Sequence, residues 1–309
     1  TYEDRPSLWD AWDIDRLHAE LATIEARPAT RWRVIAKGPL RAAVEITRPL
    51  GQSSTITQTV SLAAEALRLD IHTRIDWREE KRLLRALFPT DLRCEHADFQ
   101  TQFGYIRRPT GPGHSAQFEV PMHRWMKLAE PDRGLAVLNQ HQFGGFVRGS
   151  TLALSLLRSP IYPDPTADRG KHEFTYSLLP NPQRHAEEFE AESLVRPCLI
   201  SRPAATKPTA RRDNRPTSYS PFTLEGHPVQ IAAFKPAEDG TDLILRLVEV
   251  RGVRGSTTIH WNLPTRSAIA VDLLERPLKP AAIDHQLRHA TTQVHLEPFQ
   301  IITLRITRA

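Results

Sequence analysis

The stretch from Arg158 to Phe174, RSPIYPDPTADRGKHEF, gathers Arg158, Asp164, Asp168, Arg169, Lys171, His172 and Glu173 in one span. Such a mixture could move protons or grip a polar ligand. Carboxylates that cleave a glycosidic bond stand about 5–5.5 Å apart for retention, or roughly 6.5–9.5 Å for inversion. Asp164 and Asp168, joined by a proline-bearing loop, could reach either spacing; Asp beside Pro is equally a turn device without chemistry. His172 and Glu173 could serve as the acid and base of a sugar mutarotase. Neighbours on a strand point to opposite faces, however, so this pair cannot easily share one substrate.

Other candidates are thinner. The tripeptide HAD at 96–98 places His96 and Asp98 on one side of a strand, half of a metal site with no further ligands nearby in sequence. His114, His123 and His141 could converge across neighbouring strands, although surface or hydrogen-bonded histidines are the commoner case. There is no glycine-rich phosphate loop and no nucleophile elbow. Cys94 and Cys198 form neither a disulfide framework nor a metal spacing; both read as small buried hydrophobes, compatible with a reducing compartment.

The elements that must position these residues are strands. Period-two alternation recurs in WRVIAK, RAAVEIT, STITQTVSL, LRLDIHTRIDW, DFQTQFGYI, AQFEVPMHRWMKL, GLAVLNQ, STLALSLL and EFTYSLL, separated by Gly, Pro and Asp. In LRLDIHTRIDW, Leu67, Leu69, Ile71, Thr73, Ile75 and Trp77 share one face, as a half-buried antiparallel strand requires. Helical signal is confined to a turn or two in LWDAWDIDRLHAEL and a short helix in PQRHAEEFEAESL. Three prolines and a glycine bar regular structure from the middle of the 158–174 span. The Pro-, Ser-, Thr- and Arg-rich segment PAATKPTARRDNRPTSYSP lacks apolar periodicity and marks a boundary. The expectation is all-β: a first domain over 1–205, a linker over 206–221 and a smaller domain over 222–309. TDLILRLVEVRG, STTIHWNL, SAIAVDLL and QIITLRIT supply the strands of the last, and LLERPLKP a loop or edge.

Composition narrows the function classes. The formal charge is +5 over 309 residues, but basic residues interleave with acidic ones, even in the dense groups REEKRLLR and ARRDNR. These read as solvated surface and argue against nucleic-acid binding. No run of about 18 apolar residues exists, so no membrane-crossing helix is expected. Composition and spacing alone stop at a β-rich protein with one suggestive loop.

Several stretches taken together resemble glycoside hydrolase family 38, the α-mannosidases, in the C-terminal β-region of its cytosolic and vacuolar branch with bacterial relatives. They are DRPSLWDAWDID at 4–15, FQTQFGYIRRPT at 99–110, FEVPMHRWMKLAEPDRGLAVLNQHQFG at 118–144, LALSLLRSPIYPDPTADRGKHEFTYSLLP at 152–180 and KPAEDGTDLILRLVEVRG at 235–252. In the last, the family usually reads Tyr before Glu, where this chain has Val248-Glu249.

The resemblance implies a retaining α-mannosidase of mannose metabolism, placed in the cytoplasm. It implies a galactose mutarotase-like, two-sheet supersandwich followed by a small β-sandwich. The family's zinc ion, nucleophilic Asp and acid carboxylate belong to an N-terminal domain ahead of this region. This chain is therefore expected to hold no cofactor or metal and no catalytic residue, and to be inactive alone. The HAD tripeptide aligns with a β-region strand and not with the family's zinc motif. The expected partners are that catalytic domain and an α-mannoside or mannose-containing oligosaccharide. The 158–174 loop is expected at the rim of the sugar pocket, with Arg158, Asp164, Asp168 and His172 touching or positioning the sugar. Trp9 and Trp12 are expected at the junction with the preceding domain, leaving the isolated chain open to self-association, which light scattering would read. The alternative is a stand-alone carbohydrate-binding or scaffold module that stacks sugar on exposed aromatics. For it Trp9, Trp12, Trp32, Trp77, Trp125 and Trp261 are the available tryptophans.

Overall fold

The computed structural model of the chain describes every residue except 16–22, 24–25, 112–116, 183–185, 197, 202–217 and 279–290. It divides into two compact units, Thr1–Thr101 with Ile106–Cys198, and Gln102–Tyr105 with Leu199–Ala309. The expected linker and the group ARRDNR fall largely outside the described residues, as does His114.

The first fourteen strands are β1 (Tyr2–Glu3), β2 (Arg31–Lys37), β3 (Arg41–Leu50), β4 (Ser54–Ala63), β5 (Leu69–Trp77), β6 (Arg82–Pro89) and β7 (His96–Thr101). They continue with β8 (Gly104–Pro109), β9 (Val120–Pro121), β10 (Trp125–Ala129), β11 (Gly134–Asn139), β12 (Gly144–Arg148), β13 (Thr151–Arg158) and β14 (Gly170–Pro180). They form a narrow antiparallel sheet, β1-β6-β13-β12-β9, and a wide one, β2-β3-β4-β5-β14-β11-β10-β7-β8. Ile71, Ile75 and Trp77 of β5 meet Leu152, Leu154 and Leu156 of β13 in one buried cluster, so the two sheets make a sandwich. The alternation of β5 is realised residue by residue from Leu69 onward: Ile71, Thr73, Ile75 and Trp77 are buried, while Leu67 lies outside the strand and is exposed. A single helix among the described residues, α1 (Ala186–Val195), lays Glu187, Ala191 and Leu194 inward. Lys127 answers the buried Glu187 charge.

The second unit holds β15 (Phe222–Gly226), β16 (Gln230–Pro236), β17 (Leu243–Val248), β18 (Gly255–Trp261), β19 (Thr265–Val271), β20 (Thr291–Leu296) and β21 (Ile301–Arg308). Its sheets run β15-β18-β20 and β16-β17-β21-β19. Leu245, Leu247, Ile302 and Leu304 of one pack with Ile259, Val294 and Leu296 of the other.

Some readings change. DFQTQFGYI is a hairpin and not one strand, because Phe103 takes φ 59° between β7 and β8. AQFEVPMHRWMKL breaks between β9 and β10. REEKRLLR is not plain solvated surface. Leu83 and Leu84 are core, Arg85 is buried, and Glu79 is 3% exposed. The Glu79 carboxylate accepts the N–H groups of Gln52, Ser53 and Ser54 at 2.9–3.1 Å and the Ser54 hydroxyl at 2.8 Å. Gly51, at φ 58°, must be glycine here, since a Cβ would stand 2.6 Å from that carboxyl group. Cys94 is half-buried against the core but Cys198 is exposed, so the buried-hydrophobe reading holds for neither fully; both are free thiols.

Candidate functional site

β13 hands the chain to the irregular segment 159–169, and β14 takes it back at Gly170. Lys171 to Phe174 are therefore strand, and the loop is shorter than the span read from sequence. A β-bulge between Ser155 and Leu157 lets consecutive residues of β13 reach one cleft of about 830 Å³ in the first unit. That size suits a small-molecule site. Arg158, Asp168 and His172 all line it; Asp164 does not.

Each loop residue has a defined place. Arg158, with 15% of its side chain accessible, donates through Nε and Nη2 to the buried Asp4 carboxylate and through Nη1 and Nη2 to the carbonyls of Ala11 and Asp13. Its donors are committed to the N-terminal segment. Burial pushes the Asp4 carboxyl up from its ordinary range, against the pull of Arg158. Asp10 Oδ2 accepts the N–H groups of Ile161 and Tyr162 at 2.6 and 3.0 Å. Asp164 closes a local turn, its Oδ1 accepting the Thr166 N–H and hydroxyl at 2.8 Å each, and these donors hold its carboxyl below the usual range.

Asp168 sits at φ 58° and is exposed. His172 Nε2 lies 2.7 Å from the Asp168 carbonyl. A carbonyl only accepts, so Nε2 carries the proton and Nδ1 is left as the acceptor of the neutral ring. The Glu173 carboxylate meets His72 at 3.1 Å, on the opposite face of β14 from His172, although Glu173 is itself among the residues that line the cleft.

Sequence reasoning missed the deeper residues. Arg85, its side chain 0% accessible, pairs with Glu119, and its guanidinium lies between the rings of Tyr2 and Phe146, 5.2 and 5.0 Å from their centroids. Ser155 donates to Glu119 Oε1 and stands 3.2 Å from Arg85 Nε. Gln142 is 7% exposed, and its Oε1 has no hydrogen-bond partner among the described residues. Glu119, Ser155 and Gln142 line the cleft, with Trp12 and Phe143, 67% and 56% exposed, beside them. The one available signal was Glu119, a lone acid between Phe118 and Val120.

His123 and His141 pack against Phe143 and Phe174 respectively, not against each other. Asp98 is buried and bonded to Arg107 at 2.7 Å, while His96 is exposed. Among the described residues no three of His, Cys, Asp or Glu gather as a metal site. No described helix is long and apolar enough to cross a membrane.

Comparison with known proteins gives these likenesses. The family model described as the glycosyl hydrolases family 38 C-terminal domain matches residues 1–166, and that for the family 38 C-terminal beta sandwich domain matches 228–304. The chain is 36% identical over 315 residues to human Alpha-mannosidase 2C1, covering 98% of this chain and 29% of that protein. It is 31% identical to Alpha-mannosidase G of Dictyostelium discoideum, over 98% of this chain and 28% of that protein. The chain thus spans less than a third of the curated relatives it matches. The crystal structure of an alpha-mannosidase from Enterococcus faecalis V583 shares the fold, with a TM-score of 0.70 at 19% identity over 89% of this chain and 35% of that one.

Proposed function

Since the chain belongs to glycoside hydrolase family 38, whose C-terminal β-domains it matches over most of its length, we propose that it is the β-region of a retaining α-mannosidase. In this reading a preceding domain brings the zinc ion, the nucleophile and the acid carboxylate, and this chain alone does not turn over. The whole enzyme cleaves α-mannosides in cytoplasmic mannose metabolism, a placement in keeping with two free cysteines. The stand-alone module fits less well, because both family models describe C-terminal domains of longer relatives.

The role of this chain is to bind and orient the sugar. The observation that carries it is that Asp168, an exposed residue, and His172, bonded to its carbonyl, both line an 830 Å³ cleft. Carboxylate and imidazole acceptors suit sugar hydroxyls. Arg158 and Asp164 act at one remove, Arg158 by tying the loop to Asp4 and Asp164 by closing its turn. Trp9 and Trp12, 58% and 67% exposed, stand at the junction with the preceding domain and offer the isolated chain a surface for self-association. The domains are 1–205 and 222–309, with 206–221 between them.

The test is Asp168→Asn in the full-length enzyme, since Asn tolerates the left-handed backbone where Ala adds strain. kcat/KM should fall roughly ten-fold, about 1.4 kcal/mol of transition-state binding, with Tm unchanged. Normal kinetics would overturn the loop's role in sugar binding.

A further inference from the structure

Below Asp168 and His172 the cleft holds a second set of polar groups that the loop does not use. Among the described residues Glu119 accepts one bond on each carboxylate oxygen, from Arg85 and from Ser155, which leaves each oxygen a further acceptor site. Gly144 keeps that carboxylate open, since a Cβ there would stand 3.2 Å from Oε1. Gln142 Oε1 is buried without a donor among the described residues, a state that costs about 1–3 kcal/mol unless something supplies one. Trp12 exposes its ring at the same cleft.

We propose that Glu119 and Gln142 form a saccharide subsite in the floor of this cleft, taking the hydroxyls of a neutral pyranose whose apolar face lies on Trp12. The choice of sugar rests on the α-mannosidase reading above. The chemistry of the floor selects the class. The unfilled sites on Glu119 and on Gln142 Oε1 are acceptors, so a ligand there must bring donors. Arg85 balances the charge of Glu119 and its side chain is wholly covered, so this pair offers neither an anion nor a cation a free counter-charge. A polyhydroxyl ring with one apolar face meets both demands, through O–H donors below and stacking above. Removal of Glu119 would leave Arg85 uncompensated, so the informative variants are Trp12→Ala, at an exposed residue, and Gln142→Met, close in volume.

The experiment is saturation-transfer NMR of the 309-residue chain with methyl α-mannopyranoside, repeated on both variants, with thermal melts confirming that each is folded. Transfer to the sugar is expected from the parent chain, with binding roughly two- to ten-fold weaker in each variant. No transfer up to the solubility of the sugar, or transfer undiminished in both variants, overturns the subsite. Its failure is separable from failure of the loop reading. Absent binding here, with Asp168→Asn still impairing the full-length enzyme, removes only the floor subsite. Binding here with an unimpaired Asp168→Asn enzyme supports the floor subsite and overturns the loop.

Discussion

Glu249 is completely buried in the second unit, and its carboxylate is held by donors on several sides. Burial alone would raise its pKa. The N–H groups of Phe299, Arg251 and Gly252 at 2.8–2.9 Å, with His227 at 3.1 Å, outweigh burial and hold the carboxyl below the usual range. Glu79 shows the same balance in the first unit, with burial opposed by the amides of residues 52–54. A carboxyl whose folded pKa is depressed stabilises the fold above its unfolded value, about 4.3 for Glu. That stability is lost as the pH falls through the folded value. The contribution of Glu249 and Glu79 should therefore hold level above about pH 5, and thermal melts should show its loss in the acid range below. Glu249→Gln should cost about 2–3 kcal/mol at neutral pH, because four donors lose their anion. It should also make the acid decline shallower than in the parent; an unchanged slope would remove Glu249 from the account.

At the scale of elements, the loop after β13 is shaped from a distance. Asp10, in the N-terminal segment, holds the amides of Ile161 and Tyr162, and Arg158 holds that segment in return. Asp10→Ala should speed amide exchange at both positions and cost about 1 kcal/mol. Unaltered exchange would show that the loop is fixed without it. Sequence legibility follows the same logic. β5 could be read because each residue faces either core or solvent, and burial follows parity. β6 hid behind charge: Arg85 is buried only because Glu119, Tyr2 and Phe146, far away in sequence, receive it. β12, GGFVR, carries too little apolar pattern to announce itself, although it lies beside β13 in the narrow sheet. The rim residues Asp168 and His172 were legible as a local concentration of polar groups. The floor was not, because Arg85, Glu119, Gln142 and Ser155 come from four separate parts of the chain.

At the scale of the molecule, the two units have separate cores, one around Trp77, Met126 and Leu154, the other around Leu245, Ile259 and Leu304. Residues 1–205 and 222–309 expressed separately should each unfold cooperatively in calorimetry. A half without a transition would show that the division at 206–221 is misplaced. The first unit also has sheets of unequal width, and the wide one is closed at its centre by β14 pairing with β5, Gly170 against Trp77 through Leu178 against Leu69. On the ribosome, β2 to β5 emerge long before β14. At roughly 5–20 residues per second, the inner edge of β5 then waits on the order of ten seconds for its partner. During that interval Ile71, Ile75 and Trp77 sit on an open edge of the kind that other chains add to. The yield of soluble protein should therefore depend less on final stability than on how quickly the segment from Arg78 to Arg169 is made, and on what shields β5 meanwhile.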